Sequence, residues 1–309
     1  MIIWGMSGKG HDASITVWSE NVLLHESYTR AAEHDATELY GLLKYGEPDL
    51  VVWYENPYTK SFRQLYAGQS RPFARNKIGS YLKKYGINCK WTYVQHHEAH
   101  AAHFYDQDTF DEAVVFVIDS IGEWDCTSVW HAKDGKLKKL GSQRYPDSLG
   151  LFYSSMVKEA GMTPQKDEAT FESLASIGMI NDALLAQMKK ELMIDNPWRP
   201  VFTKNMHKGL GGLYETYNQI EIASTTQHLF CDIVINMIDY WTEKLGCKNV
   251  ILSGGCAFNR GVRKRVKEKY NIWVPNNPGD GGSAKSAVLA YLRKKTRLNV
   301  APNQIGANT

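Results

Sequence analysis

The chain has 309 residues, 43% of them hydrophobic and 22% charged, near ordinary globular usage, which excludes a disordered, collagen-like or low-complexity chain. Lys+Arg is 36 against Asp+Glu 33, a net charge of +3, so bulk charge neither demands nor excludes a nucleic-acid partner. No apolar run reaches the roughly 18 residues of a transmembrane helix, so no membrane association is expected.

The five cysteines are odd in number and widely spaced, with no CxxC pair, and read as reduced thiols in a cytoplasmic protein. The first residues read at once as a strand with no basic leader, so no signal peptide is expected.

In chain order, short strands are expected at 2–4, 14–18 and 22–26, a helix at 36–45 and a buried strand at 50–53. A strand at 92–94 leads into a helix at 96–105. Residues 113–119 form a continuous apolar run ending in Asp119, which reads as a central strand covered on both faces. Strands follow at 127–131 and 137–143, then helices at 149–160, 171–177 and 219–245. A strand at 250–252 runs straight into Ser253, Gly254 and Gly255. Helices at 257–270 and 282–295 close the chain.

A strand, polar turn and strand at 2–18 recurs at 115–130, with glycine and acid at each turn. The echo suggests two similar lobes, 1–110 and 111–309. Charge is uneven. Residues 1–55 hold nine acids and three bases, whereas 56–95 hold eight bases and no acid. Aromatics are interleaved with those bases. Bases attract phosphate and rings stack on nucleobases, so 56–95 reads as a basic insertion with Arg71, Arg75, Lys77, Lys83 and Lys84 as candidate DNA contacts. A solvated basic face is the alternative.

The segment HHEAHAAH at 96–103 is the most informative. His96 and His100 are four apart and share one helical face, a spacing suited to two metal ligands. His103 lies near the same face. The HExxH protease motif is absent. Asp119, at the end of a buried strand, is costly there unless paired or bound to metal. Asp280 sits in a glycine-rich loop opening a helix. A turn role for Asp119 and an N-cap role for Asp280 remain open. Mixed imidazole and carboxylate ligands suit Fe(II), Mn or Zn better than Ca or Mg. Two glycine-rich turns, with Gly122 and Glu123 in one and Gly254, Gly255 and Asn259 in the other, read as a phosphate cradle.

The stretches GKGHDAS (8–14), HHEAHAAH (96–103), DSIGEWDCTS (119–128), LGLFYSS (149–155), DEATFESLA (167–175), EIASTTQ (221–227), SGGCAFN (253–259) and PGDGG (278–282) occur in order. Together they resemble carbamoyltransferases of the nodulation and antibiotic-tailoring type, whose first domain is similar to the tRNA threonylcarbamoyl-transfer protein. The resemblance implies an α/β actin-like, sugar-kinase-like fold of two ribonuclease-H-like lobes around a nucleotide cleft. It also implies a divalent metal held by His96, His100, Asp119 and Asp280.

Three departures bear on the donor. The family's second domain, which makes carbamoyl adenylate from carbamoyl phosphate and ATP, has no counterpart expected here. Ala169 and Thr170 stand where the family has Gly-Lys after Asp-Glu, beside the donor-site candidate Glu168. The family's lysine is missing from 30–35. The expected donor is therefore carbamoyl phosphate used directly, or carbamoyl adenylate supplied by a separate protein with ATP.

His11 and Asp12 are the candidate bases. Small relatives are associated with hypermodified phage DNA, which makes 5-hydroxymethylcytosine the expected acceptor. The basic helix beginning at Arg260 agrees with a polyanion. A small hydroxylated metabolite and an inactive nucleotide-binding regulatory role are the alternatives.

Overall fold

A computed structural model describes residues 1–70, 76–194, 196 and 198–295. The first lobe opens with β1 (Ile2–Ser7), β2 (Ala13–Ser19) and β3 (Val22–Thr29), then α1 (Ala36–Gly41), β4 (Leu50–Trp53), α2 (Pro57–Tyr66), α3 (Ile78–Lys84) and β5 (Lys90–Tyr93). Helix α4 (His96–Ala101) leads to β6 (Glu112–Ile118), β7 (Asp125–Lys133) and β8 (Lys136–Arg144). Next come α5 (Leu149–Glu159), α6 (Glu168–Ala175), α7 (Asp182–Leu192), the short pair β9 (Met193–Ile194) and β10 (Val201–Phe202), and α8 (Gln219–Leu245). The chain continues through β11 (Asn249–Ser253), α9 (Arg260–Lys267), β12 (Asn271–Trp273) and α10 (Ser283–Lys295).

The two large sheets have one plan. Their strand orders are β3-β2-β1-β4-β5 and β8-β7-β6-β11-β12. In each, the first three strands pair antiparallel and the last two join parallel. This is the duplicated lobe arrangement that the echo between residues 2–18 and 115–130 anticipates.

Strand β6 shows why its sequence is apolar throughout. Val114, Phe116 and Ile118 pack into one core with α5 and α8, while Val115 and Val117 pack into the other beside α4 and α10. Successive side chains point to opposite faces, so a strand serving two cores has no polar face.

Three expectations change. The segment 56–95 is not an insertion throughout, because β5 is an edge strand of the first sheet, paired with β4. It also contains two helices, α2 and α3, that the hydrophobic pattern did not reveal. Residues 111–309 do not stay on one lobe: α10 returns to the first, where Ala287, Val288 and Leu292 join the core of Trp4 and Val52. Among the described residues, no helix is long and apolar enough to cross a membrane.

Candidate metal centre between the lobes

Four side chains converge from three places in the fold. His96 and His100 lie on α4, which packs against β6 and α10, and both side chains are buried. Asp119 follows directly after β6. Asp280 lies in the turn before α10, and its carbonyl accepts hydrogen bonds from Ser7 Oγ at 3.1 Å and Ser14 Oγ at 3.4 Å. The first hairpin thus anchors the Asp280 loop, more than 260 residues further along the chain.

His96 Nε2 and His100 Nε2 are 3.1 Å apart. His96 Nε2 lies 3.2 Å from Asp119 Oδ2 and 3.5 Å from Asp280 Oδ1. His100 Nε2 lies 3.5 and 3.3 Å from the same oxygens. One donor atom from each residue falls within 4.8 Å of the others, and Asp280 Oδ1 is buried without a hydrogen-bond partner.

The four groups shift one another's proton affinity. Burial alone would push His96 down, but Asp280, Asp119 and Glu55 carry it well above its ordinary range. His100 is raised in the same way by Asp119 and Asp280 against burial. Burial would raise Asp119, yet the two imidazoles hold it well below the usual carboxylate range. Four donors with two carboxylates, no lysine or arginine paired with them among the described residues, and an orphaned oxygen fit a divalent metal of the Fe(II), Mn or Zn type.

A supporting layer surrounds these ligands. Glu55 Oε2 lies 3.8 Å from His96 Nδ1, and Glu55 Oε1 accepts from Lys60 Nζ at 2.6 Å. A carboxylate behind a ligating imidazole favours the proton on the outer nitrogen and frees the inner one for metal. Glu123 Oε1 accepts from the backbone N–H of Asn56 and from that of His96 at 3.1 Å, so one carboxylate holds the starts of α2 and α4. Burial lifts Glu123 to about 7 although those two N–H groups and His96 pull it down. Arg63 Nε donates to the Glu123 carbonyl at 3.0 Å. Gly122 is needed for close approach: a Cβ there would meet His97 Cδ2 at 2.8 Å and His96 Cδ2 at 2.9 Å.

Among the expected donor-site residues, Gly122 and Glu123 are therefore committed to holding the histidines. Asn259 caps α9 by accepting from Val262 N at 2.9 Å, and its amide pairs with Gln227 in both directions. Glu168 accepts from Gln165 N at 2.6 Å and Ser154 Oγ at 3.1 Å. Gly254, at φ +85°, lies against the Ile118 carbonyl, where a Cβ would come within 2.4 Å. Gly255 remains exposed, with its Cβ position 3.1 Å from Asp119 Oδ1. Of the expected cradle, Gly255 is thus the residue left facing open space beside Asp119, a candidate ligand.

His11 and Asp12 lie at the tip of the β1–β2 hairpin, next to Gly10, whose Cβ position is 3.8 Å from Asp280 Oδ2. Burial and then the charge of Asp280 raise the Asp12 carboxyl.

The basic candidates are scattered. Arg71 and Arg75 lie outside the described residues. Lys77 and Lys83 are exposed at the two ends of α3, and Lys84 pairs with Glu33. Lys60 and Arg63 are buried. Helix α9 is not a free basic face, because Arg260 pairs with Glu172 and Arg265 with Asp232.

Glu55, Lys60 and Arg63 were not foreseen as part of the site. A signal existed: Asn56-Pro57 is an N-cap followed by Pro at N1, and Asn56 Oδ1 accepts from Tyr58 N at 3.0 Å. A helix started there puts Lys60 and Arg63 on one face.

An uncharacterised protein of Synechocystis, sll1178, is 26% identical over 93% of this chain and 56% of its own length. The chain spans about half the length of the curated relatives it matches along nearly all of its own. The nodulation protein NolNO of Sinorhizobium fredii is 23% identical over 64% of this chain and 31% of its own length. The activator of 2-hydroxyisocaproyl-CoA dehydratase from Clostridium difficile, solved with bound ADPNP, aligns with a TM-score of 0.53 at 13% identity, over 97% of this chain and all of its own. That likeness shows the fold, the actin-like arrangement of two lobes. The family described as Carbamoyltransferase N-terminus matches residues 53–289, which include His96, His100, Asp119 and Asp280, and the chain belongs to that carbamoyltransferase family.

Proposed function

We infer that this protein moves a carbamoyl group from carbamoyl phosphate, or from carbamoyl adenylate made by a separate protein with ATP, to an acceptor hydroxyl. The acceptor in this reading is the hydroxymethyl group of 5-hydroxymethylcytosine in DNA. The observation that carries carbamoyl transfer is the convergence of two imidazole nitrogens and two carboxylate oxygens within 4.8 Å in a chain of this family.

The acceptor oxygen bonds to the carbamoyl carbon, and the carbon–oxygen bond to phosphate breaks. Phosphate leaves with the electron pair. The hydroxyl proton passes to Asp12 or His11 at the hairpin tip. A carboxyl raised by burial and by Asp280 is a better proton acceptor than an exposed aspartate. A divalent metal, when bound by His96, His100, Asp119 and Asp280, supplies Lewis-acid polarisation of the carbonyl and a counter-charge for the leaving group. Gly255 leaves backbone open beside Asp119, where a donor phosphate can approach.

Support for DNA comes from the acid-free stretch 56–95 and its exposed Lys77, Lys83 and Lys90. A small hydroxylated metabolite is the second reading, favoured by the ion pairing of α9 and the burial of Lys60 and Arg63.

The test is mass spectrometry of nucleosides after incubation with hydroxymethylated DNA and carbamoyl phosphate, with and without ATP. A carbamoylated hydroxymethylcytosine is expected. Its absence with every donor, beside carbamoylation of a free hydroxylated metabolite, would select the second reading.

A further inference from the structure

Helix α2 is built inside out. Its cations Lys60 and Arg63 are 9% and 5% exposed, whereas Tyr58, Phe62 and Tyr66 are 63%, 64% and 68% exposed. With Leu65 these three occupy one helical stripe, at spacings of four, three and one residues. Such a stripe ordinarily faces a core. Here the core side is taken by the charges that support Glu55 and Glu123.

The stripe continues beyond the helix. The rings of Phe62 and Tyr66 lie 6.2 and 5.4 Å from that of Trp124, and Tyr58 lies 6.2 Å from Tyr93. Trp124 directly follows Glu123, so the aromatic surface reaches the loop that begins at Asp119. Beside it, a groove of about 540 Å³ opens between α2 and α3, lined by Tyr58, Phe62, Leu65, Lys77 and Trp91 among others. The groove lining holds Lys77 and no acid. No acid occurs in 56–95, and among the described residues Lys77, Lys83 and Lys90 are exposed without an ion-pair partner.

We propose that this surface binds nucleic acid as an unpaired strand. Bases stack on Tyr58, Phe62 and Tyr66, and phosphates meet Lys77 and Lys83. This rests on the DNA-acceptor reading and deepens it: the acceptor base is presented from a single strand rather than read in the major groove of a duplex. The physical reason is that base pairing and stacking cover the base faces inside a duplex. Exposed rings can stack only on bases that are out of it, whereas cations alone would serve either form.

The experiment is fluorescence anisotropy with a labelled single-stranded oligodeoxynucleotide, its duplex and an abasic oligomer of equal length. Wild type is expected to bind the single strand more tightly than either of the others. Phe62→Ala with Tyr66→Ala removes exposed side chains, and an unchanged Tm shows an intact fold. This variant is expected to bind the single strand at least about tenfold more weakly and the abasic oligomer unchanged. Lys77→Glu with Lys83→Glu is expected to weaken both and to reduce the salt slope by about 0.7 per lost phosphate contact.

Unchanged single-strand affinity in the aromatic variant, or no wild-type preference over duplex and abasic oligomer, overturns the proposal. So does a change confined to self-association of the protein, which would make the stripe a protein-docking face. Carbamoylation of hydroxymethylated DNA, read by nucleoside mass spectrometry, tests the transfer reading separately. Its absence with ring-dependent strand binding intact fails that reading alone, and its presence without such binding fails this one alone.

Discussion

Lys60→Met removes the cation that faces Glu55. Lys60 Nζ and Glu55 Oε1 are 2.6 Å apart, with side chains 11% and 4% exposed. Coulomb attraction at that separation is about 6 kcal/mol for an effective dielectric of about 20. Desolvation of both ions offsets much of it in the native pair. Removing one partner leaves a buried carboxylate uncompensated, which costs about 3–5 kcal/mol. For a chain of this size each kcal/mol lowers Tm by about 2 °C, so Lys60→Met is expected to melt about 6–10 °C below wild type by calorimetry. The orphaned Glu55 then draws a proton toward His96 Nδ1, and metal affinity measured by chelator competition should change with it. Adding Glu55→Gln removes the stranded charge and should restore part of the lost stability. A Tm drop under about 2 °C, or a double variant whose loss equals the sum of the singles, would refute a buried pair supporting the centre.

His96→Ala or His100→Ala is expected to lose stoichiometric metal by elemental analysis while keeping wild-type circular dichroism; full metal in the double variant would sink the site. Gly122→Ala places a methyl within 2.9 Å of both neighbouring imidazoles, and a displaced His96 should weaken metal binding by about 10–100-fold in the same competition assay. His103 is buried with both ring nitrogens unpartnered, and burial together with His100 and Lys285 lowers it to about 3. Its folded-state value lies below its unfolded value of about 6.5, so the unfolded chain binds the extra proton. This group therefore costs up to about 1.4 kcal/mol of stability for each unit that pH falls below about 6.5. His103→Leu should flatten the decline of Tm between pH 6.5 and 5; an unchanged decline would show that His103 is not the group responsible.

Much of the centre was legible without coordinates because its signals are local. Two imidazoles four residues apart share a helical face whatever surrounds them, and an aspartate closing an apolar run must find a partner. The strand run at 113–119 and the recurrence of a hairpin with glycine and acid at its turn likewise follow from side-chain periodicity, and the resemblance ties the four ligands together. The buried face of helix α2 was illegible for the opposite reason. Its buried face is Lys60 and Arg63 and its exposed face is Tyr58, Phe62 and Tyr66, so hydrophobic periodicity points outward. Only the carboxylates of Glu55 and Glu123, brought under it by β4 and by the loop after β6, make burial of two cations favourable. The return of α10 to the first lobe, the capping duties of Glu123 and Asn259, and the pairing of α9 with Glu172 and Asp232 are likewise contacts between residues far apart in the chain. Residue type and spacing are enough to say which groups could bind a metal; which neighbours hold them there depends on the fold, because a charge's burial cost depends on partners that only folding brings within a few ångströms.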